Sequence, residues 1–130
     1  MKVFGSIIMY SGMPDPQAEL DEETVKEITN RLFYLEERCD NIFNGLGFRG
    51  YSVLWAPEEP NAPWVRVQAH NGVVEISCFG VRSAYKDNVE LEDYLARTMA
   101  PVWQKHIEEG MEAMRKYNEE MFGIPPEEKV

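Results

Sequence analysis

The stretch that decides the fold is Trp64-Val65-Arg66-Val67-Gln68-Ala69-His70-Asn71-Gly72-Val73-Val74-Glu75-Ile76-Ser77-Cys78-Phe79-Gly80-Val81. Asn71-Gly72 stands between two runs of strand-forming residues. This pattern predicts a β-hairpin with a two-residue type I′ turn, because both turn residues must reach positive φ. The turn sets the register, with His70 opposite Val73 and Trp64 opposite Phe79.

This register divides the hairpin into two faces. One face is wholly apolar and is predicted to be core: Val65, Val67, Ala69, Val74, Ile76 and Cys78. The opposite, outer face carries Trp64, Arg66, Gln68, His70, Glu75, Ser77 and Phe79.

Two further strands are predicted on the N-terminal side of the hairpin. Residues 2–10 form a short apolar run that is typical of a strand buried on both faces, and a Pro-rich loop follows over 11–20. Tyr51–Ala56 reads as another strand, followed by the turn-rich segment 57–63. The pattern does not decide whether the first strand lies inside the sheet or at its edge.

The first helix is predicted from an apolar stripe whose members recur at steps of three and four: Val25, Ile28, Leu32, Leu35, Cys39, Ile42 and Leu46. Thr24 and Glu27 fit a capping box at its start, and Gly45 and Gly47 predict its end. We interpret the stripe as the core-facing side of a compact domain, with a coiled-coil seam as the alternative.

A second helix is predicted from Asn88 to Phe122, with an interruption near Pro101 and a stop at Gly123. Its apolar positions again recur at threes and fours. Four of them are methionines, which we interpret as core filling, with a contact surface for another chain as the alternative: Met99, Met111, Met114 and Met121.

These elements predict an α+β fold in the order β-α-β-β-β-α. An antiparallel sheet with both long helices packed on one face, in two layers, buries every apolar surface described above. Residues 1–124 are expected to form a single domain, and residues 125–130 a loose C-terminal tail.

The chain of 130 residues carries a net charge of −10. The charge is uneven: residues 1–44 hold nine acids and four bases, residues 87–130 eleven acids and five bases, and residues 45–86 three acids and four bases. An acidic whole argues against broad binding to nucleic acid or to anionic membranes, while the middle leaves room for a local anion site. No apolar run approaches ~20 residues, and a cytoplasmic location is expected.

Neither a metal nor a cofactor is predicted. His70, His106, Cys39 and Cys78 have no metal-ligand spacing, and the two cysteines are expected to be buried thiols in a reducing compartment. Residues 45–50 match G-x-G-x-x-G, but they leave a helix and enter a strand, the reverse of the dinucleotide-binding order. Ser77 shares a face with His70, and catalysis there is a minor alternative.

The candidate binding residues lie on the outer face of the hairpin: Trp64, Arg66, Gln68, His70, Ser77 and Phe79. Aromatic rings beside directed donors suit an anionic or aromatic ligand, or a protein partner. Two alternatives remain open at this point. The face is a plain solvated sheet surface stabilised by cross-strand pairs, or it is covered by a partner or a second subunit.

Three functions follow from these patterns. The first is a non-enzymatic protein-interaction module, with self-association as one form of it. The second is a small-ligand protein that binds an anionic metabolite or nucleotide on the outer face of the hairpin. The third is an inhibitor that imitates nucleic acid with the acidic residues of its helices, although solvation of exposed helix faces is the favoured explanation of those acids. An enzyme is the less favoured interpretation.

Overall fold

The fold is a six-stranded antiparallel sheet with two helices, as seen in a computed structural model that describes residues 1–9, 14–40 and 48–123. The predicted α+β class is confirmed. The elements, in chain order, are β1 (Lys2–Ile7), β2 (Gln17–Glu19), α1 (Glu22–Phe33), β3 (Tyr51–Ala56), β4 (Val65–His70), β5 (Val73–Cys78), β6 (Val81–Lys86) and α2 (Leu91–Phe122). The strand order in the sheet is β2-β1-β3-β4-β5-β6.

The β4–β5 hairpin has the predicted register. Its pairs run from His70 opposite Val73 to Val65 opposite Cys78, and the turn residues Asn71 and Gly72 have φ of 50° and 77°. Trp64 and Phe79 lie just beyond these pairs. The face predicted to be core contains Val67, Ala69 and Val74, all of which are fully buried.

The structure adds two strands to the predicted order. β2 forms in the segment expected to be a loop, and it places β1 inside the sheet between β2 and β3. β6 follows a second two-residue turn at Phe79-Gly80, with φ of 51° and 77°. The sequence pattern continued β5 to Val81 because phenylalanine is not a residue that favours positive φ.

α1 begins and ends elsewhere than predicted. The N-cap is Asp21, whose carboxylate accepts the backbone N–H of Thr24 at 2.8 Å, and hydrogen bonding by Thr24 lowers the pKa of this carboxyl. The helix ends at Phe33, so the prediction that it extends to Leu46 is wrong.

The segment after α1 pairs with the edge of the sheet. Cys39 donates its backbone N–H to the Ala84 carbonyl at 3.0 Å, and Lys86 donates to the Glu37 carbonyl at 2.8 Å. These bonds give the backbone partners that a longer helix would have had to supply within itself. The predicted stop at Gly45 and Gly47 lies outside the described residues.

α2 is one helix from Leu91 to Phe122 and runs through Pro101, where an interruption was predicted. Asp87 caps its start, because its two carboxylate oxygens accept the backbone N–H groups of Leu91 at 2.9 Å and Glu92 at 3.0 Å. Gly123 ends it with φ of 62°. Proline removes only one N–H donor from a helix whose first turns are anchored in the core, which allows the helix to continue.

Both helices contribute to one core on one side of the sheet. Ile28 of α1 and Leu91 and Leu95 of α2 belong to the same buried cluster as Val53 and Val67. Met99 packs where Gly5 leaves room: a Cβ at Gly5 would lie 2.8 Å from the Met99 sulfur.

Only the first part of α2 is held by this core. Leu91, Leu95 and Met99 are its buried residues, and every residue from Trp103 to Gly123 is exposed. We call residues 103–122 the helical arm. Within the described residues, no helix is both long and apolar enough to cross a membrane. The predicted loose tail, 125–130, lies outside the described residues.

Candidate functional site

Four of the six predicted binding residues meet at one end of the β4–β5 hairpin. They line an open groove of about 610 Å³, which we call the hairpin groove. Its described lining contains Trp64, Arg66, Ser77 and Phe79, together with Leu54, Pro60, Asn61, Ala62, Cys78 and Gly80. Trp64 is 54% exposed, so the aromatic part of the predicted surface is open to a ligand.

Gln68 and His70 lie away from this groove and take part in the fold. Gln68 is only 5% exposed, and its side-chain amide donates to the Arg49 carbonyl at 3.1 Å. The His70 Nδ1 lies 3.2 Å from a carboxylate oxygen of Glu92 on α2, and its ring meets that of Phe48 edge-on. The predicted site therefore consists of an open part, the hairpin groove, and of two residues, Gln68 and His70, that contact neighbouring segments of the fold.

Phe79 occupies an unfavourable backbone position in the hairpin groove. Its φ of 51° lies in the left-handed region, which costs a residue with a Cβ roughly 1–2 kcal/mol. Its side chain is nevertheless 74% exposed, so packing within this chain adds little hydrophobic stabilisation to offset that cost. The two-residue turn that joins β5 to β6 requires this backbone conformation at Phe79.

The helical arm presents a second surface. It exposes seven large apolar side chains: Trp103, Ile107, Met111, Met114, Tyr117, Met121 and Phe122. The interpretation of the methionines as core filling is correct for Met99 and wrong for Met111, Met114 and Met121. The alternative, a contact surface for another chain, stays a prediction.

Charged and apolar residues lie on different sides of the arm. At ~100° per residue, all the Lys, Arg and Glu residues between 103 and 122 fall within about 140° of the circumference, which leaves roughly 220° uncharged. We call this uncharged part the apolar side of the arm. A helix that merely needed solvation would not separate its residues in this way.

The charged side of the arm is partly neutralised by its own ion pairs. Arg115 lies 2.6 Å from Glu112, and this hydrogen bond lowers the pKa of the Glu112 carboxyl. Lys105 lies 3.9 Å from Glu109. Three bases, Lys105, Arg115 and Lys116, interrupt the acids of this side, so its negative charge is not continuous along the arm.

The apolar side of the arm leads into a cleft of about 300 Å³ beside the domain. The cleft lies between α2 and the sheet, and its described lining is uncharged: Ile7, Met9, Phe48, Tyr51, Ala96, Met99, Ala100 and Trp103. Partial burial, and then the negative charge of Glu92, raises the pKa of the Tyr51 phenol. Trp103 belongs to both the cleft and the arm.

Residues with metal-binding or nucleophilic potential are dispersed. Among the residues that the structure describes, no group of three or more His, Cys, Asp or Glu could hold a metal ion. Cys39 and Cys78 are free thiols, and both are half-buried. Of residues 45–50, which match the glycine-rich pattern, 45–47 lie outside the described residues.

Sequence reasoning placed the apolar stripe of α2 in the core, although its length was a signal to the contrary. A helix of 32 residues is about 48 Å long, whereas a six-residue strand spans ~20 Å. Much of such a helix must extend past the sheet.

Comparisons of the chain with protein-family models, curated proteins and solved structures found no match.

Proposed function

We propose that this protein is a protein-interaction module and that the apolar side of the helical arm is its binding surface. The observation that supports this proposal is the exposure of Trp103 and six further large apolar side chains on the helical arm, where the Lys, Arg and Glu residues all lie on the other side. Contiguous exposed apolar surface of this kind marks an interaction site in a folded protein.

The shape and charge of the arm favour a protein partner over a membrane. Helices that lie on membranes carry Lys and Arg on their polar face, which attract anionic lipids. The arm instead has five acids against three bases, within a chain of net charge −10. A convex helix with anchors at steps of three and four fits the groove or helix of another polypeptide.

Site-specific photo-cross-linking tests this function. A photoreactive phenylalanine analogue at Met114, on the apolar side, is expected to give one dominant protein adduct in the cells that express the chain. The same analogue at Glu112, on the charged side, is the matched control. Adducts at Met114 that are as sparse and heterogeneous as those at Glu112 would overturn the proposal. Mass spectrometry of the adduct identifies the partner, a second copy included.

A second function, binding of a small anionic ligand, is supported by the hairpin groove. Arg66 supplies an exposed cation there, opposite Ser77 in the strand pairing and two residues after Trp64. Guanidinium groups beside aromatic rings bind phosphate and carboxylate with directed hydrogen bonds.

Thermal-shift measurements with inorganic phosphate and with nucleotides test this second function. A ligand at a hundred times its dissociation constant should stabilise the fold by about 2.7 kcal/mol. Arg66→Ala is expected to remove that gain, whereas Lys26→Ala, which removes an exposed cation from α1, should keep it. A gain that survives Arg66→Ala places the ligand elsewhere, and no gain with any probe refutes the anion site.

A further inference from the structure

The spacing of the apolar side of the arm follows one repeat throughout. Its central line steps by four and three alternately along Trp103, Ile107, Gly110, Met114, Tyr117 and Met121. This is the heptad spacing that lets two helices pack with interlocking side chains over their whole length. From these residues, and resting on the function proposed above, we infer that the arm binds a second copy of this chain as an antiparallel helix pair.

The sizes of the central residues select the antiparallel direction. In an antiparallel pair, residues whose numbers sum to 224 meet in one layer: Trp103 with Met121, Ile107 with Tyr117, and Gly110 with Met114. Each layer then combines different side chains, and Gly110 leaves space for Met114 of the second copy. A parallel pair would set Gly110 against Gly110, which leaves a gap, and Trp103 against Trp103, which crowds the layer.

Gly110 has the space that this arrangement needs. A Cβ built at Gly110 would meet no described atom within 4 Å, so this part of the arm is open in the single chain. Met114, which would fill the space, is 67% exposed. Its unbranched side chain adapts readily to such a gap.

The residues beside the central line accommodate this direction. Among residues 103–122, Glu120 is the acid nearest to the apolar side, and an antiparallel pair brings it beside His106 of the second copy. The other flanking positions pair Gln104 with Asn118, and Met111 and Ala113 each with itself. No like charges meet, although the whole chain carries −10. The helix dipoles also oppose one another favourably.

The area available on the arm is near the lower bound for a specific interface. The arm is about 30 Å long and ~10 Å wide, so its uncharged part has roughly 570 Å² of surface, by helix dimensions alone. Two copies would bury about 1,100 Å² in total if this part were covered, which exceeds the ~1,000 Å² expected of a specific interface.

The antiparallel direction also connects the arm with the cleft. Met121 of the second copy would lie beside Trp103, at the mouth of the cleft that Ala100 and Met99 help to line. The dimer therefore continues the apolar contact onto the domain. It also keeps the two acidic domains at opposite ends of the helix pair, where their mutual repulsion is smallest.

Sedimentation equilibrium of the purified full-length chain tests the association. The expected species is a dimer of two 15.1 kDa chains. Met114→Glu places a charge in the interface and is expected to raise the dissociation constant at least about tenfold. Lys105→Glu introduces the same residue on the charged side, with a larger change in net charge, and should leave the dimer intact. Both sites are exposed, and far-UV circular dichroism verifies that each variant is folded.

Cysteine pairing tests the direction, in a chain whose Cys39 and Cys78 are replaced by serine. Mixed Ile107→Cys and Tyr117→Cys chains should form a disulfide-linked heterodimer, and Ile107→Cys alone should not cross-link. Cross-linking of Ile107→Cys alone would establish a parallel pair and overturn the direction.

The failure of this inference is distinguishable from that of the proposed function. Self-association through the arm is overturned if the chain stays monomeric, or if Met114→Glu leaves the dissociation constant of the dimer unchanged. If the Met114 photo-adduct then contains a different protein, the interaction function stands without the dimer. A monomer that also lacks a dominant adduct refutes both.

Discussion

Two glycines with nearly equal φ show how much the surroundings of a residue matter. Gly50 has φ of +80° and Gly72 has φ of +77°. A Cβ at Gly50 would lie 2.1 Å from the backbone oxygen of Ala69, whereas at Gly72 it would meet no described atom within 4 Å. The backbone angle penalises a side chain equally at both positions, and only Gly50 adds a collision with a neighbouring strand.

Alanine substitutions separate these two effects. Gly72→Ala is expected to lower the free energy of unfolding by about 1–2 kcal/mol, the cost of left-handed backbone for a residue with a Cβ. Gly50→Ala should lower it by roughly 3 kcal/mol or more, because overpacking against backbone adds to that cost. Urea unfolding of both variants measures the difference. Equal losses would mean that the close approach of Gly50 to Ala69 is not part of the folded state.

At the same scale, the candidate site was predictable in part. The Asn71-Gly72 turn identifies the residues of the outer face by alternation alone, and Arg66, Ser77, Trp64 and Phe79 do share a groove. The hydrogen bond from the Gln68 side chain to the Arg49 carbonyl, which removes Gln68 from the open surface, was not predictable. That bond depends on a segment nineteen residues away, and alternation carries no information about what reaches a face from outside the hairpin.

Elements differ in how closely they follow their local pattern. β3 and the β4–β5 hairpin agree with prediction because alternation and turn chemistry favour the same conformation. The apolar stripe of α1 continues in the sequence past Phe33, but the chain there forms hydrogen bonds with β6 instead of continuing the helix. β6 itself depends on the Phe79-Gly80 turn, which the local residue preferences do not predict. The unpredicted Phe79-Gly80 turn therefore accounts for the unpredicted strand β6 and for the excessive predicted length of α1, whereas β2 has a separate origin.

α2 illustrates a different limit at the level of an element. Its periodic apolar positions predict a helix correctly, and Asp87 and Gly123 secure its two ends. Periodicity gives the direction of an apolar side but not what covers it. The same repeat places Leu95 in the core and leaves Met114 exposed, because the sheet extends beneath only the first turns.

For the whole molecule, we expect the domain to be independent of the arm. A chain that ends at His106 keeps Leu91, Leu95 and Met99 and the stacked rings of Trp103 and His106, so it should fold and keep a near-ultraviolet circular dichroism signal from the aromatic residues of the domain. The melting temperature of the full chain should rise with protein concentration, because association stabilises the folded state, and that of the shortened chain should not. Loss of the near-ultraviolet signal on shortening would show that the arm supports the core.

The sequence by itself determined the class of the fold, the hairpin register and the hairpin positions that face the core, since these follow from alternation and turn geometry within short segments. It also determined which side of the arm is uncharged. Only the tertiary structure decided where α1 ends, that β1 lies inside the sheet, and that α2 extends beyond the sheet against which its first turns pack. Those outcomes depend on hydrogen bonds and contacts between distant segments, and a local pattern cannot specify which distant segment will be present to complete it.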